Sequence, residues 1–140
     1  MSKRAGVLKS FESEVAQHFG PLAAEFGWAR SIEPNRVAGV RCVAYGSAPL
    51  IYRVCYVQDD HGVFTAVHMV AGHHTLVAYL EELVPAAGLG SRQDVPTSVN
   101  TLYTLRRALS GQVGWVRRLH PTLAGSEGVD LMRRAGARKW

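Results

Sequence analysis

Val37-Ala-Gly-Val-Arg-Cys-Val-Ala-Tyr45, Leu50-Ile-Tyr-Arg-Val-Cys-Tyr-Val-Gln58 and Val63-Phe-Thr-Ala-Val-His-Met-Val-Ala71 are three runs of β-branched and aromatic residues, separated only by Gly-Ser-Ala-Pro and Asp-Asp-His-Gly. Such side chains suit the pleated, half-buried surface of a sheet. The connections are too short for the crossovers that parallel neighbours require, so the spacing predicts an antiparallel meander, with turn chemistry at Asp60-His-Gly62. In the middle run Leu50, Tyr52, Val54 and Tyr56 share one face, and Ile51, Arg53, Cys55 and Val57 share the other. Both sets are largely apolar, which predicts partial cover on both faces. Trp28 to Ile32 adds a short edge strand, for three or four strands in all.

The flanks read as helices. Leu8, Phe11, Val15, Phe19, Leu22 and Phe26 recur at steps of three or four and form one apolar stripe. Gly20-Pro21 interrupts it, because proline lacks the amide donor and crowds the preceding turn, so a kink or a new helix is expected at Pro21. Gly27 ends it. After Gly72, Thr75 can cap a helix through Leu76, Tyr79, Leu80 and Leu83 to Pro85, and Gly88 to Pro96 reads as a loop. A longer stripe, Leu102, Leu105, Leu109, Val113, Val116 and Leu119, closes at His120-Pro121. Gly111 and Gly114 each weaken that helix by about 1 kcal/mol relative to alanine, which points to close packing or a bend. Ser126 can cap a last helix carrying Val129, Leu131 and Met132 before Gly136. Helix, antiparallel meander, then two to three helices is an α+β order, expected to form one domain over residues 1–140.

The composition, 47% hydrophobic and 19% charged, is that of a folded globular chain and excludes a disordered one. Cys42 and Cys55 lie in apolar runs and read as reduced core residues, too few for a disulfide framework or a four-thiolate zinc site. The basic opening is followed by Phe11-Glu-Ser-Glu-Val-Ala-Gln-His, which breaks any secretory apolar core, and no apolar run approaches the ~20 residues of a membrane span. A cytoplasmic protein without membrane association is expected.

The net charge of +5 is unevenly placed. Residues 101–140 hold eight Arg or Lys against two acids, while residues 1–100 hold eight against nine. The pairs Arg106-Arg107, Arg117-Arg118 and Arg133-Arg134, with Arg138, Lys139 and Trp140, form the main candidate binding set. Arg106 and Arg117 are eleven apart, about three turns, so both pairs can line one helix face and meet carboxylates or phosphates.

Other candidates carry less chemistry. His61, His68, His73 and His74 crowd one hairpin and the segment after it, yet lack the H-E-x-x-H spacing of a zinc helix, and no metal or cofactor is expected. Asp59 and Asp60 suit a turn, and Glu81 and Glu82 a solvated helix face. Cys55 in an apolar strand is a poor nucleophile. Ala87-Gly88-Leu89-Gly90 lacks the Lys-Ser/Thr pair and upstream strand of a phosphate loop. Tyr45, Tyr52 and Tyr56 could stack nucleobases, but alternating strand aromatics are more often core.

Phe11-x-x-x-Val15-x-x-x-Phe19-x-x-Leu22-x-x-x-Phe26-Gly27-Trp28, then Val43-x-Tyr45-x-Ser47 and a hairpin, resembles small uncharacterised α+β proteins of high-GC bacteria, some of them similar to immunity proteins of polymorphic toxin systems. The likeness covers roughly residues 8 to 85. It implies a cytosolic domain that neutralises a protein and has no chemistry of its own. Immunity proteins against nucleases are often acidic, and this chain is basic, so an acidic protein partner is expected. The leading expectation is therefore a non-enzymatic protein-binding factor, immunity or regulatory, using Arg106, Arg107, Arg117, Arg118, Arg133, Arg134 and Trp140. The alternative is a nucleic-acid-binding module using the same arginines on phosphates. A third reading is a small hydrolase or metal-dependent enzyme built around the hairpin histidines.

Overall fold

The apolar stripe beginning near residue 7 forms a single helix, α1 (Lys3–Phe26), in which Val7, Phe11, Val15, Phe19 and Leu22 are fully buried. The computed structural model of the chain describes residues 3–34 and 37–140, with side chains from residue 6 onward. Helical assignment runs through Pro21, so no new helix begins there. Gly27, at φ +71°, ends α1, and the Trp28 amide closes back on the Ala23 carbonyl.

Six strands follow, β1 (Arg30–Ile32), β2 (Val40–Ser47), β3 (Leu50–Val57), β4 (Gly62–Ala71), β5 (His74–Tyr79) and, at the chain end, β6 (Arg138–Lys139). They lie in the sheet in chain order, each antiparallel to its neighbour. The expected meander is present, with more strands than the three or four expected. The added strands are β5 and β6. Thr75 does not cap a helix, because Gly72, at φ +62°, allows a tight turn that brings His74 opposite Ala71 and pairs His74 to Tyr79 with β4. Short apolar runs fit either periodicity, and here pairing with β4 decided.

Helix α2 (Leu80–Ala86) starts only where β5 ends. A 3-10 turn, Arg92–Asp94, lies inside the expected loop. Helix α3 (Leu102–Ala124), capped by Thr101 Oγ1 on the Thr104 amide, continues past His120-Pro121 to Gly125. Helix α4 (Gly128–Arg134) is preceded by Glu127 in the cap position, where Ser126 was expected.

The helices cover one face of the sheet. Val43, Tyr45, Tyr52, Val54, Tyr56, Val63 and Val67 point into the core shared with α1 and α3. Tyr45, Tyr52 and Tyr56 are at most 1% exposed, so they cannot serve as the base-stacking platform considered above. Each large side chain so buried contributes about 1.5–3 kcal/mol of transfer free energy.

Gln112 on α3 fixes the layers to each other. Fully buried, its amide accepts from Thr65 Oγ1 at 2.7 Å and donates to the Val63 carbonyl at 2.9 Å and the Pro96 carbonyl at 2.8 Å. The segment after the 3-10 turn is held on the same spot. Val63 donates to Thr97 O, Val99 donates to His61 O, and the Pro96 ring lies against Gly111 so closely that a Cβ there would overlap it. Gly114 borders open space.

The two glycines therefore have opposite roles. Gly111→Ala is expected to destabilise the fold by about 1–3 kcal/mol through overpacking, and Gly114→Ala to stabilise it by up to about 1 kcal/mol through helix propensity. Urea denaturation of both variants checks this, and equal effects would contradict the packing assignment of Gly111.

Candidate functional site

Among the described residues no helix layer lies over the other face of the sheet. Three cross-strand rows run along it, Cys42–Cys55–Phe64, Ala44–Arg53–Ala66–Tyr79 and Ile51–His68–Val77–Arg138. The two faces expected to share partial cover differ: Tyr52, Val54 and Tyr56 of β3 are buried under the helices, while Ile51, Arg53, Cys55 and Val57 are only half-buried.

Cys42 and Cys55 are directly opposed with Cα atoms 4.2 Å apart and are joined by a disulfide. The register makes this a pair without mutual backbone hydrogen bonds, the closer kind in an antiparallel ladder. The expectation of reduced core thiols is corrected on both counts: the sulfurs are bonded, and they lie on the face away from the helices. Such bonds persist mainly in oxidising compartments. Apolar strand sequence alone did not distinguish two buried thiols from two facing ones. The pairing register does.

Beside the disulfide is a cleft of about 390 Å³ bordered by Arg53, Phe64, Ala66, Tyr79, Glu82 and Arg138 among others. Two ion pairs flank it. Arg53 Nη2 donates to Glu33 Oε1 at 2.9 Å, and Arg138 Nη1 lies 3.3 Å from Glu82 Oε1. Glu82 also accepts from the Tyr79 amide, tying this edge to the start of α2. The chain end crosses beside the cleft, where the Trp140 amide donates to Thr75 O and the indole packs edge-on to His68 at 5.5 Å between ring centres. Trp140 is 74% exposed, and Tyr79 and Val70 on this face are also exposed.

The arginines singled out from the sequence do not form one surface. Arg106 is held by Glu14 of α1 at 3.0 Å and Arg117 by Glu25 of α1 at 2.6 Å, so these two serve the helix–helix contact. Arg118 stacks on Trp115, whose indole donates to Asp94 O. Arg107 borders a different cleft, described below, and Arg134 bonds Asp130 and the Ala86 carbonyl. Arg133 forms no ion pair among the described residues. Trp140 belongs to the open sheet face, with the sheet between it and α3. The eleven-residue spacing aligned the pairs along the helix but could not reveal the acids of α1 opposite them.

The histidines are also dispersed. His61 occupies the β3–β4 turn at φ +50°, His68 the open face, and His73 and His74 the β4–β5 turn and the start of β5. Among the described residues no group of three His, Cys, Asp or Glu is placed to hold a metal ion.

Two further clefts were not foreseen. One, of about 450 Å³, lies against Phe26, Trp28, Leu50 and His120, where His120 Nδ1 and the Tyr52 hydroxyl share a 2.7 Å hydrogen bond. Burial pushes the Tyr52 phenol up and the His120 imidazole down, so both stay neutral near pH 7. The other, of about 580 Å³, lies between α2, the 3-10 turn and α3 and includes Glu81, Arg92 and Arg107. Glu81 was expected on a solvated helix face, yet it is buried, because β5 delays α2 and turns this residue inward.

No family model, curated protein or solved structure matches this chain. Among the described residues no helix is long and apolar enough to cross a membrane.

Two measurements check this face. Thiol alkylation is expected to label Cys42 and Cys55 only after reduction, and reduction to lower stability by up to about 3 kcal/mol, the chain-entropy value for a loop of this size; labelling without reductant would refute the bond. Burial, and then the Arg53 guanidinium, hold the His68 imidazole below its usual value, with Glu33 pulling the other way. The unfolded chain then takes up this proton at higher pH than the folded one, so the His68 contribution to stability is full above about pH 6.5 and declines as pH falls below it. An NMR titration placing His68 at or above the ordinary value would contradict its burial under Trp140.

Proposed function

We propose that this chain is a non-enzymatic protein-binding factor, of immunity or regulatory type, whose interface is the uncovered sheet face. The observation that carries the reading is the combination on that face of aligned, mostly apolar cross-strand rows, exposed Tyr79 and Trp140, and the flanking pairs Arg53–Glu33 and Arg138–Glu82. Aromatic anchors set among aliphatic residues with a charged margin are the usual anatomy of an interface. The occupant is a protein with an apolar centre and an acidic margin. Complementarity to it comes from the net charge of +5 and from Arg138 and Lys139 on the edge strand.

The reading moves the interface away from the C-terminal helices. With Arg106 and Arg117 committed to Glu14 and Glu25, the run of cations that a nucleic-acid module would use is interrupted, and the three buried tyrosines withdraw the stacking platform.

Paired variants separate the possibilities. A protein that co-purifies in stoichiometric amount with the tagged chain is expected to be lost in the Tyr79→Ala, Trp140→Ala double variant, by at least tenfold in affinity, and retained in Arg117→Glu, Arg118→Glu. The reverse pattern would return the interface to α3. Nuclease-sensitive nucleic acid in place of a protein would support the alternative module.

A further inference from the structure

The 580 Å³ cleft behind the end of the sheet contains charges that the described residues leave unbalanced. Glu81 is 9% exposed, and its Oε1 is buried with no hydrogen-bond partner among them. A carboxylate oxygen withdrawn from water without a donor is costly, and native structures rarely keep one without a use for it. Arg92, from the 3-10 turn, and Arg107, from α3, border the same space, and neither forms an ion pair among the described residues. Gln93, Thr97 and Ser98 add neutral polar groups at the wall. The volume is that of a small-molecule site.

The walls are held in place independently of any ligand. Gln112 grips the Pro96 carbonyl from α3, the backbone bonds of Thr97 and Val99 to β4 and its turn fix the next residues, and Pro96 is wedged on Gly111. Preorganised walls lower the ordering cost of binding.

The charges define what fits. Two guanidinium groups and one ionised carboxylate sum to +1, so a complementary ligand carries −1 while still offering a cationic donor to Glu81. One ammonium and two carboxylates meet both conditions. We infer that this cleft binds a small acidic amino acid, its ammonium on the Glu81 carboxylate and its two carboxylates on the forks of Arg92 and Arg107. Guanidinium forks match carboxylates in paired hydrogen bonds, whereas a hydroxyl in place of the ammonium would leave the charge on Glu81 uncompensated. Burial, helped by the neighbouring Glu82 carboxylate, pushes the Glu81 carboxyl above its usual range, against the pull of its own backbone amide and of Arg92. Glu81 and Arg92 also border the 390 Å³ cleft of the open sheet face, whereas Arg107 borders the 580 Å³ space and not that cleft, so the pairing of both guanidinium groups with Glu81 belongs to the larger space.

Calorimetry on the full chain tests it with three probes: L-glutamate, glutarate, which lacks the amine, and n-butylamine, which lacks the acids. L-Glutamate is expected to bind at least tenfold more tightly than either of the others. Glu81→Gln is expected to abolish its advantage over glutarate, and Arg107→Ala to weaken both acids at least tenfold, with unchanged melting temperatures showing that the variants fold. The comparison of probes on the unaltered chain needs no variant. Absence of L-glutamate binding, glutarate binding equally tightly, or a Glu81→Gln variant that keeps the discrimination would each overturn the assignment.

Discussion

The side-chain amide of Gln112 is the contact on which the arrangement of this protein depends. It is buried among apolar residues, and it is acceptable there only because both of its ends are satisfied, by Thr65 on one strand residue and by the carbonyls of Val63 and Pro96. A polar group in a core tolerates few alternative positions, since each shift leaves a donor or acceptor unmade at a cost of about 1–3 kcal/mol. Apolar contacts between α3 and the sheet would permit sliding. Gln112 fixes where α3 stops, and it fixes the strap at residues 95–99 with it.

From that placement the rest follows in order. With α1 and α3 side by side on one face of the sheet, the large aromatic residues Phe11, Phe19, Tyr45, Tyr52 and Tyr56 fill the layer between, and Phe19 and Tyr45 stack at 5.6 Å. The opposite face is left to smaller and mixed side chains, cross-linked by Cys42–Cys55 and bordered by ion pairs. The strap leaves room between itself and α2, and the inward-turned Glu81 gives that room its charge. The open sheet face and the 580 Å³ cleft are therefore two results of one layered packing with a single helical side among the described residues.

Much of the fold could be read in the sequence because its strongest signals are periodic. The stripe of α1, the three central strands and the stripe of α3 each extend over enough residues for the period to be unambiguous. His74 to Tyr79 is not legible as a strand because six residues cannot distinguish a strand from a helical turn, and β6 is only two residues long and exists through its pairing with β5. The site was read less well. The spacing along α3 groups Arg106 with Arg117, whereas their partners Glu14 and Glu25 lie 92 residues away, and it gives no sign that Trp140 packs beside His68 on the open sheet face. Glu81 and the disulfide were misassigned for the same reason. Each owes its character to a neighbour that only tertiary structure supplies.

The central claim is that Gln112 sets the position of α3 and the strap against β4. Amide hydrogen exchange on Gln112→Leu, compared with the unaltered chain, tests it most directly. The account predicts a marked loss of protection at the Val63 and Val99 amides, which donate to Thr97 and His61, with protection in the middle of α1 retained. Unchanged protection at Val63 and Val99 would contradict it, and would mean that apolar packing alone holds the two layers in register.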